Sequence, residues 1–142
     1  MGLKFNKLAF VLVALALLET STAWTEHVVG DSLGWVVPPG GATPYSYSTW
    51  AANYTFNVTD VLVFNFPSGR HDVAEVTKAA FDACNTTSPI SRETNSPVNI
   101  NLNSAGDHYY ICTFNNHCAR GQKLAINVTS VQSSQFRHQH CL

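Results

Sequence analysis

The feature that most constrains this chain is a period of two in its apolar residues. Leu62, Phe64 and Phe66 alternate with Val61, Val63 and Asn65 and stop at Pro67-Ser68-Gly69. Ile100 and Leu102 alternate with Asn99, Asn101 and Asn103, and that run ends at Ser104-Ala105-Gly106-Asp107. Tyr110, Cys112 and Phe114 share one face of the run 108–114, and Leu124, Ile126 and Val128 share one face of the last. A strand puts alternate side chains on one face of a sheet, whereas a helix would space them by 3 or 4. Further strands are expected over 26–29, 54–58 and 73–76, with one helical turn over 48–52. Short strands punctuated by turns make an all-β antiparallel sandwich or barrel.

At 142 residues the chain is sized for a single domain, since domains run to about 150. Its formal net charge is -1 and it has no basic run, so nucleic acid is excluded as a partner on electrostatic grounds. Lys4 and Lys7 precede an uncharged apolar run over 8–18 and then Ser21-Thr22-Ala23, where small residues occupy the positions a signal peptidase reads. Residues 1–23 therefore read as a secretory signal peptide, because eleven apolar residues are too few for a bilayer core that needs about 20. One domain is expected over 24–130, followed by a polar tail over 131–142 that lacks the apolar stretch of a GPI signal. The mature chain has no transmembrane segment by this reading. A secretory route suits the four sequons at Asn53, Asn57, Asn85 and Asn127, which are candidate glycosylation sites.

The cysteines carry most of the chemistry. Cys84, Cys112, Cys118 and Cys141 are an even number, and in a secreted chain two disulfides are the plain structural reading. Cys112, however, is followed within ten residues by His117 and Gln122, which sets a soft thiolate, an imidazole and a weak amide donor on one loop. A second histidine would complete a Cys and two His set with a distant axial group, the arrangement that selects copper for one-electron transfer. His71, directly after the turn at Ser68-Gly69-Arg70, is the candidate. The only methionine is Met1, which leaves with the signal peptide, so the side-chain oxygen of Gln122 is the natural axial donor.

With these residues in view the chain resembles the phytocyanins, the plant blue copper proteins, and in particular the stellacyanin-like type with an axial Gln. The resemblance runs from about Glu26 to Val128. It rests on Val29-Gly30-Asp31 with Gly34-Trp35, on Tyr47-Ser48-Thr49-Trp50-Ala51 and on the stretch 60–66. His71-Asp72-Val73 and the run from Tyr110 through Lys123 complete it. It implies a cupredoxin-like Greek-key β-sandwich of two sheets and one type 1 copper held by His71, Cys112, His117 and Gln122. It also implies a disulfide between Cys84 and Cys118, which would close a loop of about 35 residues and contribute roughly 3 to 4 kcal/mol. Cys141 is left without an assigned state. Where many relatives have Gly before the second ligand histidine, this chain has Asn116, a residue tolerant of left-handed backbone.

Other residues have plainer readings. His27 and His108 lie on expected strands as surface or hydrogen-bonded residues, and His138-Gln139-His140 on the tail suggests adventitious metal binding at most. Asp72 and Glu75 resemble a catalytic carboxylate pair only superficially, and no hydrolase constellation is present. The expected function is a secreted electron carrier and not an enzyme, with a redox partner that is a small molecule or a protein. A monomer is expected, in the extracellular space or cell wall. Placement at the outer face of the plasma membrane follows only from family analogy. Two other classes compete with it: a structural zinc or all-disulfide module, and a cell-wall recognition module in which the metal is not used for electron transfer.

Overall fold

The structure is a computed structural model and describes residues 23–40 and 46–130. The expected signal peptide, the polar tail, Cys141 and the His138/His140 pair lie outside the described residues, apart from Ala23 at the signal's end. Among the described residues eight strands form two sheets. The first holds β1 (Glu26–Val28), β3 (Val61–Phe64) and β6 (Val98–Asn101) in the order β1-β3-β6. The second holds β2 (Phe56–Asn57), β4 (Val73–Val76), β5 (Ser91–Glu93), β7 (Gly106–Ile111) and β8 (Lys123–Thr129) in the order β2-β8-β7-β4-β5.

The alternation in the sequence matches the burial. Leu62 and Phe64 of β3 are buried while Val61 and Val63 are half-buried, and in β8 Leu124, Ile126 and Val128 are buried while Ala125 and Asn127 are exposed. These inward residues meet Trp35, Tyr47, Trp50 and Tyr110 in one core between the sheets. Removing such side chains from water is the main favourable term of folding, about 1.5–3 kcal/mol for each fully buried large apolar residue. Trp35 gets there by a close approach. Gly34 has a φ of 74°, a Cβ on it would sit 2.7 Å from the Asn65 carbonyl oxygen, and the Trp35 N–H donates to that oxygen at 2.8 Å.

Three expectations needed correction. The sandwich is not purely antiparallel: β1 pairs with β3, and β2 with β8, in parallel. Each partner is reached through a long connection and not a hairpin, and a period of two carries no information on strand direction. The strand carrying Tyr110 ends at Ile111, so Phe114 stands on a loop; Cys112 keeps only one further rung, its N–H donating to the Gln122 carbonyl at 3.1 Å. Phe66 likewise lies just beyond β3.

The expected helical turn is α1 (Tyr47–Ala51), capped by the Ser46 hydroxyl, which accepts from the Thr49 N–H. A second helix, α2 (Lys78–Ala83), was not anticipated. It starts at Thr77, whose side chain accepts from the Ala80 N–H, and ends at Cys84 in a left-handed conformation with φ 48°. Both β5 and α2 escape a reading based on alternation, because every residue of β5 is exposed and α2 is only six residues long.

Candidate metal centre

One end of the sandwich gathers the polar chemistry. The β7–β8 ladder runs from Gly106 opposite Val128 to Ile111 opposite Lys123, and at this second end the two strands open into the loop that carries His117. Cys112 and Gln122 face each other as the last rung. The loop is held by the His117 N–H on the Phe114 carbonyl at 3.0 Å and by the Gln122 N–H on the His117 carbonyl at 3.0 Å. Its non-glycine residue with positive φ is Asn115, at 41°, and not Asn116. His71 arrives from the other side, on the turn that bridges Ser68 and leads into β4.

Four donor atoms converge there. The ligand-capable atoms of His71, Cys112 and His117 all lie within 4.8 Å of one another. Cys112 Sγ is 3.5 Å from His117 Nδ1, and His71 Nδ1 is 3.0 Å from Gln122 Oε1. Gln122 is fully buried, and its Nε2 donates to the Trp35 carbonyl at 3.1 Å, which turns its oxygen toward His71. This is the only group of three or more metal-capable His, Cys, Asp or Glu side chains among the described residues. Cys112 is buried and unpaired, whereas Cys84 and Cys118 form a disulfide with Cα atoms 5.7 Å apart, anchoring the loop one residue beyond His117 to the end of α2. Among the described residues Cys112 has no disulfide partner; Cys141, which the all-disulfide alternative would pair with it, lies outside them.

The donor set fits a type 1 copper ion: one soft thiolate, two imidazole nitrogens and a weak amide oxygen, with Cys112 and Gln122 buried and His117 half-buried. Burial pushes the Cys112 thiol up to about 11, so a metal entering this site must displace a proton to gain its thiolate. Burial also lowers His71, assisted by the charges of His117 and Arg70 and opposed by the Gln122 contact, which keeps the imidazole neutral and able to ligate. Access is from outside: Gly69, Arg70, His71, Phe114, Asn115 and His117 line a shallow recess of about 390 Å³.

Two supporting residues were not singled out from sequence as parts of the site. Trp35 aims the Gln122 amide and donates its own indole N–H to the Asp72 carbonyl at 2.8 Å. Asp72 is fully buried and its carboxylate accepts from the Thr113 N–H at 2.6 Å, from the Thr113 hydroxyl and from Arg92 Nε. It thus ties the segment of His71 to the segment of Cys112. Its position next to His71 was the available signal, but its partners lie 20 and 41 residues away. Glu75 points elsewhere, to His108 Nδ1 at 2.9 Å, so the two carboxylates do not form a pair. His27 is buried against Asp60 at 2.9 Å, at the opposite end. Of the sequon asparagines, Asn53, Asn85 and Asn127 are exposed and Asn57 is half-buried.

Residues 35–122 match the family model described as a plastocyanin-like domain. The chain is 48% identical to the cucumber peeling cupredoxin of Cucumis sativus over 112 residues, which covers 78% of this chain and 80% of that protein. It is 45% identical to the stellacyanin of Toxicodendron vernicifluum, covering 74% of this chain and 97% of that one. Among solved structures, copper-loaded cucumber stellacyanin superposes with a TM-score of 0.68 at 49% identity, over 75% of this chain and 96% of that one. Two sheets with few short helices and these neighbours define the class as the cupredoxins. Within it, the chain belongs to the plastocyanin-like family of blue copper proteins, the phytocyanins.

Proposed function

We propose that the protein is a secreted type 1 copper protein that carries one electron at a time and turns over no substrate of its own. His71, Cys112 and His117 serve as the strong donors and Gln122 as the weak axial one. The observation that carries this reading is the convergence of these four side chains at one end of the sandwich. Copper supplies the Cu(II)/Cu(I) couple. The chain supplies the thiolate and imidazoles, keeps water from Cys112 and Gln122 by burial, and fixes the loop through Cys84–Cys118 so that the donors keep one geometry in both states.

The recess at His71 and His117 is where an electron enters or leaves, to a small molecule or a protein partner. The working unit is a monomeric domain over 24–130, released from a signal peptide over 1–23 and followed by a tail over 131–142. It acts in the extracellular space or cell wall, with glycans on sequons among Asn53, Asn57, Asn85 and Asn127. Voltammetry of the copper-loaded protein tests the carrier role. A reversible one-electron wave with one copper per chain is expected; copper bound without a reversible wave overturns it.

A further inference from the structure

Among the described residues the buried carboxylate of Asp72 has one cationic partner, Arg92 on the edge strand β5. Asp72 receives three donors, two from Thr113 and one from Arg92 Nε, which is the pattern of an ionised acceptor-only group. It directly follows His71, and Thr113 directly follows Cys112, so one negative charge sits against both ligand-bearing segments. Arg92 belongs to β5, the edge strand that pairs only with β4, setting Arg92 opposite Ala74. The Arg92 side chain is 48% exposed while that of Asp72 is 0% exposed. The ion pair therefore reaches from the interior beside the ligands out to solvent on the edge strand, and Arg92 is not among the residues that line the recess at His71 and His117.

We propose that Arg92 is a positioning residue for the metal centre, holding the Asp72 carboxylate on Thr113 and offsetting its charge, and so setting the reduction potential from the side of the molecule. The inference rests on the copper reading given above. An uncompensated negative charge beside the site favours the more positive Cu(II) state. Loss of the guanidinium therefore lowers the potential, and loss of the carboxylate raises it. A buried charge also needs its partner more than a surface one does, because water is not there to replace it. A Lys at position 92 is a point charge and cannot reproduce the planar Nε–H contact, so it restores the charge better than the geometry.

The test is a cycle of Arg92→Gln, Asp72→Asn and the double variant, with Arg92→Lys beside them. Two quantities are read. One is the potential of the copper-loaded protein. The other is the hydrogen-exchange rate of the Thr113 amide in copper-free protein, with the Leu102 amide, bonded to the Asp60 carbonyl at 2.8 Å, as the distant control. Arg92→Gln is expected to shift the Cu(II)/Cu(I) equilibrium about tenfold toward Cu(II), a lowering of about 59 mV for a one-electron couple. Thr113 exchange should rise about tenfold and Leu102 exchange should not change. Arg92→Lys should recover more than half of the potential. In the Asp72→Asn background Arg92 has lost its tether, so its further replacement should move the potential less than half as far.

A shift of the same size in both backgrounds would make Arg92 a surface charge acting at a distance and overturn the proposal. So would a potential changed by less than about twofold in the equilibrium, or unaltered Thr113 exchange. A wild-type protein that forms no blue copper site would instead defeat the copper reading itself, and the copper-free exchange rates would still decide whether Arg92 holds Asp72 in place.

Discussion

Two buried aspartates stand at opposite ends of the sandwich, and they do different work. Asp60 is 2% exposed and accepts from the Thr25 N–H at 3.0 Å and the Asn57 N–H at 3.0 Å, with His27 Nε2 at 2.9 Å. Asn57 pairs with Thr129 at the end of the β7–β8 ladder remote from Cys112, so this carboxylate fastens β1, β2 and the start of β3. Asp72 takes as many donors, but two belong to the residue after Cys112. The same chemistry closes the sandwich at one end and stiffens a metal site at the other. The lesson is that burial and hydrogen bonding alone do not separate a structural acid from a site acid; the sequence neighbours of its partners do.

The largest effect on this contrast should come from the disulfide. Replacing both Cys84 and Cys118 by Ser should cost roughly 3 to 4 kcal/mol in denaturant unfolding, from the loop entropy released. Copper affinity should fall as well, because the loop beside His117 loses its anchor. Asp60→Asn should cost about 2–3 kcal/mol at neutral pH by leaving His27 and a backbone N–H without their acceptor, while the potential of the copper-loaded protein stays unchanged.

Burial works to raise Asp60, but His27 and the Asn57 and Thr25 amides outweigh it, so its carboxyl is held below the usual carboxylate value. The unfolded chain therefore binds the proton first as pH falls. The Asp60 contribution is present above about pH 4 and is lost as pH drops through the lower folded value. In copper-free protein the difference between wild type and Asp60→Asn should accordingly shrink in acid; a difference that grows there would contradict the assignment.

Gln122→Met acts at the other end only. An amide oxygen favours the harder Cu(II), so a thioether should raise the potential by on the order of 100 mV, about 2 kcal/mol. Voltammetry checks it, and an unchanged or lowered potential would remove Gln122 from the axial position.

The smallest effect is expected between the ends, at His108. Burial pulls its pKa down, yet Glu75 and the Ser104 carbonyl together raise it above the ordinary value. A raised histidine stabilises fully below about pH 6.5 and loses that contribution as pH rises through its folded value. Glu75→Gln should thus cost about 0.5–1 kcal/mol at pH 6 and less at pH 9, read by chemical denaturation of copper-free protein at both.

Much of this was legible before any coordinates. The face of Leu62 and Phe64 and that of Leu124, Ile126 and Val128 follow from spacing alone, since one buried face fixes strand phase. The donor set was legible because Cys112, His117 and Gln122 share a short loop and because the sole Met stands at position 1. What escaped lacks a local signal. The parallel pairing of β1 and β2 depends on where long connections return the chain. β5 buries no side chain, so nothing in Ser91, Arg92 and Glu93 marks a strand; only its pairing with Val73–Glu75 makes it one. The contact of Arg92 with Asp72 joins a residue of β5 to the residue just before β4, and only the register of β4 and β5 brings them together.

The central claim is that Cys112 gives its thiolate to copper in a site completed by His71, His117 and Gln122. Visible absorption and electron paramagnetic resonance of the secreted protein loaded with one equivalent of copper, beside Cys112→Ser, test it most directly. The account predicts an intense blue thiolate-to-copper band with narrow copper hyperfine splitting in the wild type. It predicts neither in Cys112→Ser, whose far-ultraviolet circular dichroism and Cys84–Cys118 disulfide remain intact. A colourless wild-type protein that retains zinc through dialysis, or a blue band that survives Cys112→Ser, would contradict it.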